Sequence, residues 1–411
     1  MVNRYIDFLF SLHKFGIKPG LERTRRFLTY LGNPQKQFAT VLVGGTNGKG
    51  TTAAFLTSIL QEAGYKVGLF TSPHLVRFNE RIRTGRDNFI DNKYIANFLK
   101  ENQKFIETEK MSFFETSTGL ALNWFANEKI DIAILEVGLG GRYDATNVVE
   151  PLFSVITGVS LDHTERLGRT LKQILDDKLG IVRHGKELII SGVSGKLIKS
   201  FEDFFHKNNV VALNAGKLRS KTISMNLSGS KHQIANLTVD TQLTGFHIRN
   251  LLKICLLSKQ VLDKYGYSIS DADFLEGIRK TDWPGRFQVI SSSPLVILDV
   301  AHNPASAANL ARNLWTLVGK PMTIVLGMMR DKDHRGVIRR LEPVADRFIF
   351  VRPNTPRAVK PQVLSSIPRK ESLVIEDVSS ALSYAVSRFE RLLVTGSHYT
   401  VGEAFRLFNV R

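Results

Sequence analysis

Short apolar runs closed by glycine or charge alternate along the chain with segments whose apolar residues recur at helical spacing. Phe38–Val43 is one such run; it ends at Gly44-Gly45, and Thr51–Ala63 then keeps the helical spacing up to Gly64. The pattern predicts strand, glycine loop, helix. Lys66–Phe70, Ile130–Val137, Leu152–Thr157 and Leu188–Ser191 read as further buried strands, with helical patterns over Tyr94–Thr108 and Ser117–Ala126. Nearly continuous apolar strands separated by helices predict a parallel, doubly wound α/β sheet. At Thr281–Arg286 the sequence TDWPGR breaks the periodicity. A second βα series follows: Leu295–Asp299, Asn309–Thr316, Met322–Leu326, Phe348–Val351, Ser379–Arg388 and Leu392–Thr395. The expected domains are therefore 1–281 and 282–411. Gly192–Thr244 is rich in Ser, Gly and Asn and predicts only weak strands.

Composition narrows the class. A chain of 411 residues with 43% hydrophobic positions has enough apolar material for two or three packed domains, which excludes general disorder. The single cysteine, Cys255, excludes an internal disulfide, and no Cys/His cluster has zinc spacing. No basic-then-apolar leader opens MVNRYIDFLF, and no apolar run approaches the ~18 residues of a membrane helix, so a soluble, cytoplasmic protein without membrane contact is expected. The formal charge is +18, and residues 183–259 carry twelve Lys/Arg against four Asp/Glu. These cations are spaced out and lack interleaved aromatics, which favours a solvated basic face over a nucleic-acid groove. Attraction of polyanionic small molecules such as ATP or an oligo-glutamate is the third reading.

The strongest chemical signal is Gly44-Gly45-Thr46-Asn47-Gly48-Lys49-Gly50-Thr51-Thr52 between strand and helix. Glycines let backbone N–H groups turn inward on phosphate oxygens, the helix N-terminus adds positive charge, and Lys49 neutralises the β/γ-phosphates. Thr51 or Thr52 offers a hydroxyl to Mg²⁺. The spacing departs from G-x-x-x-x-G-K-[ST], because Val43 stands at the first glycine and Gly50 follows the lysine. Ser72, in TSPH past the next strand, sits where open sheets collect ligands and is either a metal or phosphate contact or a turn residue. Glu136 ends an apolar strand, so its burial needs compensation by Mg²⁺ or by a salt bridge to Arg142. His163, in LDHTE, reaches the same edge, although a helix capped at Asp162 explains the segment equally well. In the second series Asp299, His302 and Asn303 repeat the pattern, and that edge is expected to face the phosphate loop across a cleft. Asp331, Lys332 and Asp333 read as an exposed charged loop.

Together GTNGKGTT, FTSPHLVRFNERI, ILEVGLGGRYDATNVV, LDHTERLG, WPGRFQV, DVAHNP and TGSHYTVGEAF resemble the family of dihydrofolate synthases and folylpolyglutamate synthases, a branch of the ATP-dependent Mur-type amide ligases. The resemblance implies a P-loop ATPase domain with a parallel sheet, followed by a smaller C-terminal Rossmann-like domain, in a monomer. It places ATP on Asn47, Gly48, Lys49, Gly50 and Thr51, and on Asn250, Arg286 and Asp299. Metal, expected as two Mg²⁺ ions, falls on Ser72, Glu136 and His163. Lys178 matches the lysine that the family carbamylates, which would give oxygens to the second ion. Pteroate contacts fall on Leu21, Glu22 and Arg23, on Phe114, Glu115, Thr116 and Ser117, and on Arg142, Tyr143 and Asp144. Leu179, beside the modified lysine, replaces the family's usual small residue.

The implied chemistry passes ATP's γ-phosphoryl to a dihydropteroate or tetrahydrofolate carboxylate, and the amine of L-glutamate then attacks the acyl phosphate. Lys49 and Lys178 carry catalytic roles in this scheme. His302 either positions glutamate or serves only its turn. Three rivals remain at the level of sequence: an enzyme that only lengthens folate tails, a Mur-type ligase joining another amino acid, and a P-loop phosphotransferase or nucleic-acid-linked ATPase.

Overall fold

The computed structural model describes residues 2–16 and 20–408. The first sheet comprises β1 (Ala39–Gly44), β2 (Val67–Phe70), β3 (Ile82–Thr84), β4 (Asn88–Phe89), β5 (Ile132–Glu136), β6 (Phe153–Ile156), β7 (Glu187–Ile190) and β8 (Val211–Asn214). Its order is β4-β3-β2-β5-β1-β6-β7-β8, parallel from β2 to β8 and antiparallel only through the short hairpin strands β3 and β4. The strands are apolar on both faces because both are covered. Phe70, Leu135 and Ile156 enter one layer; Val43, Ile134 and Val155 enter the other with Phe55, Leu56 and Ile59 of the helix Lys49–Glu62. Strand order reverses across β1, so the loop leaving β1 lies at the switch point where an open sheet leaves a crevice.

Residues 192–244 contain more than the weak strands predicted. Two short helices, Gly195–Lys199 and Glu202–Lys207, precede β8, and β9 (Ser220–Asn226), β10 (Gly229–Ile234) and β11 (Leu237–Thr241) form a three-stranded antiparallel sheet. The second series builds β12 (Gln288–Ser292), β13 (Leu295–Leu298), β14 (Met322–Leu326), β15 (Ala345–Phe350), β16 (Ser372–Val374) and β17 (Arg391–Thr395), in the order β12-β13-β17-β14-β15-β16. All but the β12–β13 pair are parallel, a Rossmann-like arrangement with its own two core layers.

Close approaches fix how these parts meet. Leu75 and Val76, past β2, pack against the second sheet's core, and Arg406 donates to the Val76 carbonyl at 2.8 Å. A Cβ on Gly402 would fall on the Leu75 carbonyl oxygen, so only glycine lets this loop dock there. Gly277, in the helix Asp271–Arg279, crosses the helix Lys49–Glu62 so tightly that a Cβ would fall on Ile59 Cα, and its carbonyl accepts from Ser58 Oγ at 2.6 Å. Gly277→Ala therefore forces two backbones apart. A destabilisation of about 1–3 kcal/mol is expected, read from the midpoint of urea denaturation.

Candidate active site

The loop leaving β1 bends twice through backbone that favours glycine, at Gly45 (φ 137°) and Gly48 (φ 86°), and delivers Lys49 to the first turn of its helix. Thr157 Oγ1 donates to the Asn47 carbonyl at 2.7 Å, holding the loop against β6. Lys49 Nζ lies 3.2 Å from the Thr46 carbonyl, folded back over its own loop. Gly50 has a separate reason. A Cβ there would meet Trp283 Cζ2 at 3.1 Å and Glu136 Oε2 at 3.3 Å, so the residue after the lysine is squeezed between the WPGR turn and the end of β5.

Glu136 is buried at that end and accepts from the Ser72 amide at 3.0 Å. Burial raises its pKa against the opposing charge of Lys49 and the Ser72 hydrogen bond. The salt bridge to Arg142 is absent: Arg142 Nη2 instead pairs with Asp176 at 2.9 Å, because the loop carrying it turns away over the helix Leu171–Leu179. A hard carboxylate at the phosphate loop, on which the Ser72 amide already converges, is the donor chemistry that suits Mg²⁺. His163 does not join Glu136 here. Its Nε2 lies 3.0 Å from Lys332 Nζ and its Nδ1 3.7 Å from Asp331, and among the described residues no group of three His, Cys, Asp or Glu side chains is placed to hold a metal.

Lys178 is buried, and its Nζ donates to the Gly45 carbonyl at 3.0 Å, directly beneath the loop. Burial, reinforced by the Lys49 charge, lowers its pKa to about 7. The neighbouring Leu179 packs into the core.

The second sheet completes the cleft. Asn303 Nδ2 donates to Asn47 Oδ1 at 2.9 Å and to Asp162 Oδ2 at 3.1 Å, and Lys332 pairs with Asp162 Oδ1 at 2.8 Å. Two expectations change. Asp162 does not cap a helix, since His163 in left-handed backbone precedes Thr164–Leu167 and Asp162 turns to Lys332. The Asp331–Asp333 loop is exposed except at Lys332, whose side chain is only 7% exposed because Asp162 draws it into the seam. Lys332 is the residue that sequence reasoning missed; a lysine between two aspartates looks solvated until the partner across the cleft is known. His302 Nε2 lies 3.8 Å from Asp162, and burial, with Lys332, lowers its pKa to about 4.

Asn250 lines a cavity of about 410 Å³ with Lys221, His247, Arg249, Asn309 and Arg312, next to Leu251, which packs against Gly48. Asp299 spends both oxygens on backbone, accepting from Phe287 at 2.9 Å and Ala301 at 2.8 Å, while burial raises its pKa against the nearby charge of Arg286. Among the expected pteroate contacts, Leu21 is nearly buried, Glu22 is exposed and paired with Arg25, and Arg23 pairs with Glu115 at 2.9 Å. Phe114 lies against Gly138. Thr116 and Ser117 are enclosed by their helix and the core, with Ser117 bonded to the Phe113 carbonyl, so their side chains reach no cleft. Tyr143 is exposed, and Asp144 is buried, bonded to Leu139 and Thr146.

Two family models match the chain: the Mur ligase middle domain over residues 43–257, and the Mur ligase, glutamate ligase domain over residues 285–398. A phosphate loop facing a second sheet across a polar seam, with these two matches, makes the chain an ATP-dependent ligase of the Mur class. The dihydrofolate synthase/folylpolyglutamate synthase of Bacillus subtilis (strain 168) is 33% identical over 95% of this chain and 95% of its own. The chain belongs to that family. The structure of Escherichia coli FolC in complex with DHPP and ADP superposes with a TM-score of 0.86 at 31% identity, covering 99% of this chain and 98% of that one. A bifunctional folylpolyglutamate synthase/dihydrofolate synthase with Mn, AMPPNP and L-glutamate bound gives 0.85 at 30%, covering 99% and 98%. The chain spans about half, 49%, of the length of a Haloferax volcanii relative named "Probable bifunctional folylpolyglutamate synthase/dihydropteroate synthase", at 34% identity.

The buried amine of Lys178 makes a testable difference to stability. An unfolded lysine keeps its proton up to about pH 10, whereas the folded one releases it near pH 7, so unfolding takes up a proton between these values. Wild type should gain stability relative to Lys178→Met as pH rises from about 7 to about 10, with a constant gap below pH 7. Urea denaturation across that range, without nucleotide and in CO₂-depleted buffer, measures it.

Proposed function

We propose that this chain adds L-glutamate to dihydropteroate, forming dihydrofolate, and to tetrahydrofolate, extending its tail, with ATP converted to ADP and phosphate. The observation that carries this reading is the joined pair of sheet edges: Asn47 of the phosphate loop bonds Asn303 of the second sheet, while Asp162 holds Lys332 beside them. A simple phosphotransferase needs only the first edge; a ligase must hold an acceptor carboxylate near ATP and present an amine to it. The ligand-bound relatives, one with DHPP and ADP and another with AMPPNP and L-glutamate, support the same assignment.

In this mechanism the loop amides at the helix N-terminus and Lys49 stabilise the charge on the transferring γ-phosphoryl group. The acceptor carboxylate becomes an acyl phosphate, glutamate's amine attacks its carbonyl carbon, and phosphate leaves. Glu136 and Ser72, with His163 once it leaves Lys332, would hold Mg²⁺, which when bound neutralises phosphate charge. Thr51 is the further hydroxyl at that point. Lys178, partly unprotonated near neutral pH, is suited to form a carbamate with CO₂, turning a cation into an oxygen donor for a second ion. The cavity at Asn250 would take the nucleoside end of ATP, with Arg286 and Asp299 beside it. His302, at the second edge, would position glutamate, and Phe114 with the 142–144 loop would form the pteroate wall. With the domains divided at 281 and 282, the phosphate loop, Glu136 and Lys178 would belong to one domain and Asp299 and His302 to the other, and the single, buried thiol of Cys255 suits a reducing cytoplasm.

Purified protein with ATP, Mg²⁺ and L-glutamate should release ADP only when dihydropteroate or tetrahydrofolate is added; stoichiometric AMP and pyrophosphate would reject the acyl-phosphate route. Turnover with tetrahydrofolate alone would leave only tail lengthening. Lys49→Ala should lower turnover by about 10²- to 10³-fold with an unchanged far-UV circular dichroism spectrum, because that side chain bonds only its own loop.

A further inference from the structure

Arg81 is used by none of the steps above, and its surroundings are unusual for a structural arginine. It ends the turn Phe78–Arg81 that follows the Ser72 loop, and it is 7% exposed. Its Nε donates to His74 Nδ1 at 2.8 Å, and its guanidinium lies over the Phe113 ring at 5.1 Å. His13 stacks on the same ring, with centroids 4.1 Å apart, extending an aromatic wall. No carboxylate among the described residues pairs with Arg81. Glu80, its neighbour, already accepts from the Leu75, Val76 and Arg77 amides, and Glu136 accepts from Ser72.

A guanidinium has five donors and stays charged, so burial without an acceptor is costly. The Nη1 and Nη2 groups donate to no acceptor among the described residues, yet they are not among the sealed, unpartnered polar atoms, as Arg83 Nε is; they keep an opening to solvent. The surroundings of Arg81 thus hold a cation, two imidazoles and phenyl faces, with the Nη groups of the fork unpartnered among the described residues. That fork fits a carboxylate. Thr71 donates its amide to the Arg81 carbonyl at 2.9 Å, and the next residue, Ser72, donates to Glu136, which sets Arg81 near the end of β5. Phe113, on which it stacks, is adjacent to Phe114 of the expected pteroate wall.

The two proposed acceptors differ in one relevant group. Dihydropteroate has a single carboxylate, the one that reacts. A glutamylated folate reacts through its γ-carboxylate and carries an α-carboxylate about 5 Å away on the same residue. We infer that Arg81 binds the α-carboxylate of the terminal glutamate of a folate acceptor, making it a residue that distinguishes tail extension from dihydrofolate formation. This inference rests on the function proposed above.

The test compares Arg81→Gln and Arg81→Lys with wild type on both acceptors, and compares binding of pteroate with pteroylmonoglutamate by calorimetry. Arg81→Gln should raise KM for tetrahydrofolate, and weaken pteroylmonoglutamate binding, by about 10- to 100-fold. KM for dihydropteroate and pteroate binding should stay within about twofold, and Arg81→Lys should recover part of the loss. Equal losses on both acceptors would show a structural role and overturn the inference, as would no loss on either. Wild type inactive on both acceptors, with no binding of either probe, would instead overturn the functional reading and the inference with it.

Discussion

The Asp162 carboxylate holds the two halves of the cleft in register. It accepts from Lys332 at 2.8 Å and from Asn303 at 3.1 Å, both from the second sheet's edge, while its own segment leaves β6 beside the phosphate loop. Burial alone would raise its pKa, but Lys332, His163 and His302 outweigh that and hold the carboxyl well below the usual range. A buried pair of this kind adds little net stability over an apolar contact, yet leaving one partner alone is costly. Its effect is therefore on geometry: Asn303 meets Asn47, and the second edge stands opposite the loop.

Steric constraints do the complementary work on the first edge. Gly50 separates Lys49 from Thr51 because Trp283 and Glu136 occupy the space a side chain would need. That accounts for the departure of the loop from the common phosphate-loop spacing: the turn joining the two sheets packs against the nucleotide helix, so a change in the position of the second sheet is felt at the loop. Leu75, docked on Gly402, carries the same coupling to Ser72 three residues earlier. Glu136 and Lys178 are then a carboxylate and an amine buried against the loop, each with burial favouring its neutral form. A positive charge beside Glu136, or loss of the Lys178 proton, offsets the cost of that burial.

The alternation of apolar runs and helical spacing determined the α/β class, the order of the strands along the chain and the position of the phosphate loop, because strand and helix periods are local properties of the chain. Glu136 was legible as a buried carboxylate at a strand end for the same reason. What it faces was not, because the choice between Arg142 and the loop depends on how β5 lies beside β1. Thr116 and Ser117 looked available in sequence, yet their helix turns them into the core. Lys332 and Arg81 read as ordinary charged residues in the chain. Only tertiary structure decided that one is drawn under Asp162 and the other stacked over Phe113, because burial of a charge depends on partners hundreds or tens of residues away, which the local pattern of the sequence does not encode.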